Sequence, residues 1–138
     1  MNLNVRLLRS TTIIALLVIA FSATIFYGCG RRPIVIGFQG PLTGTAADVG
    51  VQGRNGAQLA VETINAAGGV QSRPLRLDPR DDRNRREVAE ELVRTFRESD
   101  VEVVIGPMMS VAGVAVAEQV TATGPLYVSP TVSTPEVS

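Results

Sequence analysis

The sequence lacks the residues that most catalytic sites need. Its 138 residues include no histidine, no lysine and no tryptophan, one cysteine, and only 4% aromatic residues. Without histidine there is no Ser-His-Asp or Cys-His pair, and without lysine there is no phosphate-loop lysine and no Schiff base. A single cysteine cannot form an internal disulfide, so the fold depends on packing. We therefore predict that the protein is not an enzyme and that it needs no cofactor.

The charge balance gives no sign of a nucleic-acid partner. All 13 basic residues are arginine, and 13 acidic residues balance them. Removing Arg6 and Arg9, which lie in the N-terminal segment, leaves 11 basic residues against 13 acidic ones. Nucleic-acid binding needs a clustered basic face, and we predict none here.

The N-terminal segment has the layout of an export signal. Arg6 and Arg9 precede an uncharged run over residues 11–26, which as a helix reaches about 24 Å and so falls short of the ~30 Å hydrocarbon core. Gly28 and Cys29 follow shortly after the run, an arrangement that resembles a bacterial lipoprotein signal. We expect residues 1–28 to be a signal peptide and residues 29–33 to be a lipidated N-terminus and linker. An uncleaved anchor helix, or cleavage elsewhere, is the alternative.

From residue 31 onward, apolar strand patterns alternate with helical ones. Residues 34–38 form a continuous apolar run that predicts a buried strand. A helix is predicted over 50–67, with Ala57, Ala60, Val61 and Ile64 on one stripe facing the sheet, and Gly68-Gly69 is the predicted left-handed stop of this helix. Later patterns predict strands over 73–80, 101–105 and 125–129, and helices over 84–98 and 110–123. Asn84 is the predicted N-cap of the helix over 84–98. The fold class is therefore α/β, a parallel sheet with helices on both faces. Pro79 marks an edge strand, which favours the order 2-1-3-4.

Candidate site residues follow from that order, because ligands of open parallel sheets bind at the carboxyl ends of the strands where the order reverses. The loops there carry Thr43, Ser110, Ser129, Thr131 and Ser133. Their hydroxyls, with the N–H groups of helix starts, suit an anionic or polar ligand. For each residue alone a structural use is the alternative, such as Ser110 as an N-cap or Ser133 as a solvated loop hydroxyl.

Metal and dinucleotide sites are not predicted. Asp78 lies near the end of the predicted edge strand, and Asp81 and Asp82 follow it. All three are away from the point where the strand order reverses, and we assign them structural or solvated roles. The glycines near the first strand do not match the Gly-x-Gly-x-x-Gly pattern of dinucleotide-binding turns.

Residues 34–138 resemble the start of the periplasmic leucine/isoleucine/valine-binding family, the type I solute-binding proteins of ABC importers. The resemblance rests on five segments in the same order, which are GPLTG at 40–44, GAQLAVETINAAGGV at 56–70, Asp81-Asp82, VVIGP at 103–107 and SPTVSTPE at 129–136.

The resemblance implies roles for several residues. Ser110 stands where the family binds the ligand carboxylate, and Ser133 stands where a threonine commonly contacts both carboxylate and ammonium. Thr131 stands where a backbone carbonyl receives the ammonium. Val49 falls about where some members place an aromatic residue against the ligand, and Gly113 where amino-acid binders often have a further hydroxyl.

The resemblance also implies a wider organisation. Residues 34–138 would be an incomplete N-terminal lobe, with a second lobe beyond residue 138 that supplies the far wall of the cleft. The implied function is the extracytoplasmic receptor of an ABC importer for branched-chain amino acids or a related small polar solute. Such a protein would sit in the periplasm or on the outer face of the cytoplasmic membrane, anchored by the lipid on Cys29. It would pair with ABC permease subunits, and we expect a monomer at full length. The alternative is the ligand-binding domain of an extracytoplasmic signalling receptor.

Overall fold

The computed structural model describes residues 31–120 and 123–137. The expected signal peptide and Cys29 lie outside the described residues. Strands and helices alternate from residue 34 onward, and Arg32–Ser138 forms one compact unit. The elements in order are β1 (Ile34–Gly40), α1 (Ala47–Ala66), β2 (Leu75–Asp81), α2 (Arg86–Arg97), β3 (Val101–Ile105), α3 (Ser110–Gln119), β4 (Leu126–Val128) and a short 3-10 helix (Pro135–Val137).

The four strands form a parallel sheet in the order β2-β1-β3-β4. This confirms both the predicted fold class and the predicted strand order. Pro79 lies in β2, which is the edge strand, where a missing N–H does not break the ladder between inner strands.

Helices cover both faces of the sheet, because side chains of a strand alternate between faces. Val35 of β1 packs with Phe96 of α2 and with Val101 and Val104 of β3. On the opposite face, Phe38 packs with Ala57 of α1 and with Met108, which follows β3. A third cluster joins α2 to α3 through their small residues, Ala89, Val93, Ala112, Ala115 and Val116.

Two details of the helices differ from the sequence-based prediction. The predicted stripe of α1 is only half buried, since Ala57 and Val61 are covered while Ala60 and Ile64 are exposed. The helix packs mainly on β1 and β2, and the side chains of Ala60 and Ile64 remain outside this contact. The prediction that Asn84 caps α2 is wrong. Arg85 occupies the cap position without a side-chain hydrogen bond, and Asn84 adopts a left-handed φ of 52°.

The glycine stop of α1 is confirmed. Gly68 and Gly69 both have positive φ, 100° and 76°, a conformation that glycine adopts without the Cβ strain of other residues. The N–H of Gly69 donates to the carbonyl of Ile64 at 2.9 Å, which closes the helix end.

The outer strand β4 is lightly covered. It pairs with β3 on one side, and Leu126 and Val128 are 64% and 49% exposed. Among the described residues, no helix combines the length and hydropathy that crossing a bilayer requires.

Candidate ligand-binding site

The carboxyl ends of the strands form a rim of three loops. β1 ends at Gly40, β3 at Ile105 and β4 at Val128, and parallel strands bring these ends to one side of the sheet. The loops over residues 41–46, 106–109 and 129–134 therefore lie along the same edge. The order of strands reverses between β1 and β3, which is where the ligand crevice of this class of sheet forms.

Hydrogen bonds tie the third loop to the second. The hydroxyl of Ser129 donates to the carbonyl of Pro107 at 2.8 Å, and the hydroxyl of Thr131 donates to the carbonyl of Met108 at 2.7 Å. The N–H of Gly106 donates to the carbonyl of Val128 at 2.9 Å. The Thr131 hydroxyl is thus used inside the rim, while the ligand role implied for Thr131 concerns its backbone carbonyl.

Thr43 is held by an aspartate of the edge strand. Its hydroxyl donates to Oδ2 of Asp81 at 2.5 Å, and the N–H of Leu42 donates to Oδ1 of the same carboxylate at 2.7 Å. The N–H of Arg83 also donates to Oδ1, at 2.9 Å. Asp81 therefore fixes the first rim loop. Its side chain bridges from β2 to the loop after β1, which is a structural role as the sequence predicted.

These hydrogen bonds control the protonation of Asp81. Partial burial raises the pKa of its carboxyl, but the hydrogen bonds from the Thr43 hydroxyl and from the backbone of Leu42, Arg83 and Thr43 outweigh burial and bring the pKa below 3.8. A pKa lowered by folding means that the charged form stabilises the native state above pH 3.8. That stabilisation is lost as the pH falls through the folded-state pKa.

We expect Asp81→Asn to lower the free energy of unfolding by about 1 to 3 kcal/mol at neutral pH, since an amide cannot accept all of these hydrogen bonds. The difference from the unmodified protein should shrink in acid, where Asp81 is protonated. Urea unfolding measures the loss at neutral pH and its decrease at a pH below 3.8, the ordinary pKa of aspartate. Asp78→Asn is the control, because Asp78 forms a surface ion pair with Arg80 that is worth about 0 to 1 kcal/mol. Equal losses for the two variants would contradict this role of Asp81.

Ser110 offers an uncommitted hydroxyl on the rim. It is exposed and is the first residue of α3, while Met109 occupies the cap position with no side-chain hydrogen bond. No hydrogen bond engages the Ser110 hydroxyl within the part of the chain that the structure describes. The capping alternative for Ser110 is therefore not observed, and its hydroxyl stands beside the N–H groups that begin the helix, where the helix dipole favours an anion.

Val49 and Thr131 line the same cavity, whereas Ser133 lines another. The first cavity has a volume of about 490 Å³ and is also bordered by Gly53, Met108 and Pro130. The cavity beside Ser133 measures about 440 Å³ and involves residues of its own loop. The sequence prediction missed Met108, which is 4% exposed and places its sulphur 3.7 Å from the Thr131 hydroxyl.

A larger open cavity of about 610 Å³ lies at the opposite end of the sheet. Arg32, Arg73 and Arg76 border it together with Asp100 and Glu102. These residues lie at the amino-terminal ends of the strands. The predicted site residues lie at the carboxyl ends, and none of them borders this cavity. We place the site at the rim, because that is where this class of sheet binds ligands.

Gly113 has no room for the hydroxyl that amino-acid binders often carry at this position. A Cβ there would lie 2.8 Å from both Cγ atoms of Val132, closer than carbon atoms pack. Val132, next to Ser133, therefore occupies the space. The sequence shows the missing hydroxyl, but only the structure shows what replaces it.

Acidic residues near the rim have structural roles. Asp78 pairs with Arg80 at 3.0 Å, Asp81 holds the first loop, and Oδ1 of Asp82 accepts from the N–H of Asn84 at 2.9 Å. Over residues 31–120 and 123–137, no group of three or more histidine, cysteine or acidic side chains is placed to hold a metal ion.

Comparison with known proteins identifies the chain's relatives. The model of a family described as periplasmic binding protein matches residues 33–138. The Leu/Ile/Val-binding protein homolog 3 of Brucella melitensis is 31% identical over 137 residues, which is 99% of this chain and 35% of the relative. The Leu/Ile/Val-binding protein BraC3 of Rhizobium johnstonii is 31% identical over 82% of this chain and 31% of its own length. The chain thus spans about a third of the length of these relatives.

Comparison with solved structures finds the same kind of protein. The branched-chain amino acid transporter substrate-binding protein LivJ of Streptococcus pneumoniae, in complex with isoleucine, matches with a TM-score of 0.71 and 31% identity over 76% of this chain and 30% of its own. An ABC transporter substrate-binding protein of Desulfitobacterium hafniense, in complex with Leu, matches with a TM-score of 0.68 and 29% identity over 78% of this chain and 31% of its own.

These relatives are substrate-binding proteins and not enzymes, in agreement with the predicted lack of catalysis. The parallel sheet is that of the type I periplasmic binding proteins. The family implies an extracytoplasmic location. By sequence and by fold, the chain belongs to the periplasmic binding protein family.

Proposed function

We propose that the chain is part of the solute receptor of an ABC importer for branched-chain amino acids or a related small polar solute. The observation that carries this proposal is the match to two binding proteins with isoleucine and Leu as their ligands. ABC permease subunits would receive the solute, and a second lobe would supply the far wall of the cleft. A single rim leaves most of a small ligand exposed, whereas binding sites bury most of the ligand surface.

Ser110 is the residue we expect to bind the solute carboxylate. Its hydroxyl is exposed and has no partner among the described residues, and the N–H groups that begin α3 stand beside it. Hydroxyl and backbone donors at a helix start form a ready site for an anionic group. We expect Ser133 and the Thr131 carbonyl to contribute from the third loop, and Val49 to contact the solute from the first cavity. Thr43 lies on the rim, but its hydroxyl is committed to Asp81, so we assign it support of the loop.

Replacing Ser110 with alanine in the full-length protein should weaken solute binding by about 1 to 3 kcal/mol, the cost of losing a hydrogen bond to a charged group. That corresponds to roughly 5-fold to 150-fold in Kd. Calorimetric titration with isoleucine, leucine and valine measures the change. Thr95→Ala is the matched control, because Thr95 lies on α2, away from the rim, and its hydroxyl donates to the Glu91 carbonyl at 3.0 Å. An affinity for Ser110→Ala equal to that of the control would remove Ser110 from the site.

We also propose that a lipid on Cys29 anchors the protein to the membrane. The support is the order of a basic start, an uncharged run and a cysteine in the sequence. A lipidated receptor has no transmembrane span through which to signal, so lipidation favours the importer over the signalling receptor. Cys29→Ala should abolish metabolic labelling with palmitate and release the protein from membranes. Because Cys29 is the only cysteine, labelling that persists in the variant would refute lipidation of a thiol in this chain.

A further inference from the structure

Two polar side chains beneath the first rim loop are fully buried. Gln39, in β1, and Asp82, directly after β2, are both 0% exposed. Within the described residues, Nε2 and Oε1 of Gln39 and Oδ2 of Asp82 have no hydrogen-bond partner. Buried polar atoms in folded proteins are nearly always satisfied by protein groups or by ordered water. Their partners must therefore be sought among groups other than the protein atoms around them.

The two side chains lie close together without a hydrogen bond between them that meets geometric criteria. The Gln39 amide is near enough to the Asp82 carboxyl to favour its charged form, yet no donor and acceptor of this pair reach hydrogen-bond geometry. Asn84 belongs to the same turn, because its N–H donates to Oδ1 of Asp82 at 2.9 Å, and its own Oδ1 is also buried without a partner. The region thus combines one amide donor with acceptor oxygens from three side chains.

Water suits this set of groups better than a metal ion does. A water molecule accepts from an N–H group and donates twice, so it can bridge the Gln39 amide to the Asp82 carboxylate. Hard cations instead need several oxygens converging, and an amide NH₂ group cannot be one of their ligands. No group of three or more acidic, histidine or cysteine residues in the described part of the chain is placed for a metal.

We propose that Gln39 and Asp82, with Asn84 on the same turn, hold a buried water molecule that supports the rim from below. Asp82 follows Asp81 directly, and the N–H of Asp82 donates to the carbonyl of Gly40 at 3.1 Å. A water on the Asp82 carboxylate therefore steadies the turn from which Asp81 holds Leu42 and Thr43. Gln39 and Asp82 are positioning residues that do not touch the solute, and this proposal does not depend on which solute binds.

A high-resolution crystal structure of the full chain, with a second crystal soaked in a thallium(I) salt, tests the proposal. We expect one density peak within hydrogen-bond distance of both Gln39 Nε2 and Asp82 Oδ2, and no anomalous signal at that peak. A direct hydrogen bond between the two side chains with no peak would overturn the proposal. An anomalous thallium peak would also overturn it, since the site would then bind a monovalent cation.

The Gln39→Met variant supplies a second readout. Methionine has a similar length but neither polar atom, so the water should lose its donor and leave. Burial already raises the pKa of Asp82 above 3.8, against the backbone hydrogen bond from Asn84 and with help from the charge of Asp81. Because the Gln39 amide also favours the charged carboxylate, loss of the amide together with the water should raise this pKa further, by about one unit, in a carbon-13 titration of the carboxyl group. Gln58→Met is the control, because Gln58 bonds to Glu62 on the exposed face of α1. An Asp82 titration that is the same in both variants contradicts the proposal, and if Gln39→Met does not fold, the crystal structure decides.

Discussion

Replacing Gly106 with alanine is expected to destabilise the protein by about 4 kcal/mol or more, or to prevent folding. Gly106 follows β3 with a φ of 118°, a region that residues with a Cβ rarely adopt. A Cβ at this position would lie 2.0 Å from the carbonyl oxygen of Gln39. Gln39 belongs to β1 in the middle of the sheet, so its backbone cannot move aside without disturbing pairing on both sides. Gly106 is needed because the second rim loop passes directly against this strand.

Urea unfolding followed by circular dichroism measures the effect. Gly56→Ala is the matched control, because Gly56 lies inside α1 and a Cβ there meets nothing within 4 Å. That substitution should stabilise the protein by about 0.5 to 1 kcal/mol, the helix preference of alanine over glycine. If Gly106→Ala unfolds at the same urea concentration as the unmodified protein, the close approach of the loop to β1 is wrong.

The second large effect is expected for Phe96→Ala, with a loss of about 3 to 5 kcal/mol in the free energy of unfolding. Phe96 is 1% exposed and packs with Val35, Val101 and Val104. Its ring also lies against the backbone of β1, since a Cβ on Gly37 would be 2.9 Å from Cε1 of Phe96. Truncation would leave a cavity between α2 and the centre of the sheet that neighbouring side chains cannot fill.

Leu59→Ala is the control for apolar truncation. Leu59 is 64% exposed on α1, and surface substitutions usually change stability by less than about 0.5 kcal/mol. The two variants should therefore differ by several-fold in ΔΔG from the same denaturation experiment. Equal losses would mean that Phe96 does not occupy the core described above.

The sequence predicted the sheet well because its signals are local. Each signal depends on a few neighbouring residues: the apolar run after residue 33, the Gly68-Gly69 stop, and Pro79 in an edge strand. Together these signals predicted the order β2-β1-β3-β4 that the structure has. Right-handed crossovers between parallel strands then leave few alternatives.

Contacts between distant residues could not be predicted in this way. Thr43 and Asp81 are 38 positions apart, and nothing near either residue indicates that they bond. Asparagine is a common helix cap, which is why Asn84 was predicted to cap α2. The turn that buries Asp82 instead places Asn84 in a left-handed conformation, one residue before the cap position. Ala60 and Ile64 fit a helical stripe, yet both are exposed, because α1 packs mainly on β1 and β2. In each case tertiary packing overrode a local preference.

For the site residues, too, the sequence predicted local positions but not contacts between distant residues. Motif order placed Ser110 at the start of α3 and Thr131 on the neighbouring loop, where the structure also has them. The cavity that joins Thr131 to Val49 depends on Met108 and Pro130, whose role no sequence motif indicated. The packing of Val132 on Gly113 also required the structure.

Calorimetric titration of the full-length protein with amino acids tests the proposed function most directly. The solutes are isoleucine, leucine, valine and a mixed panel of other amino acids, with a sugar as the negative control. The proposal predicts saturable one-to-one binding of at least one amino acid, and no binding of the sugar. An absence of binding to every amino acid in folded, full-length protein would contradict an amino acid as the solute.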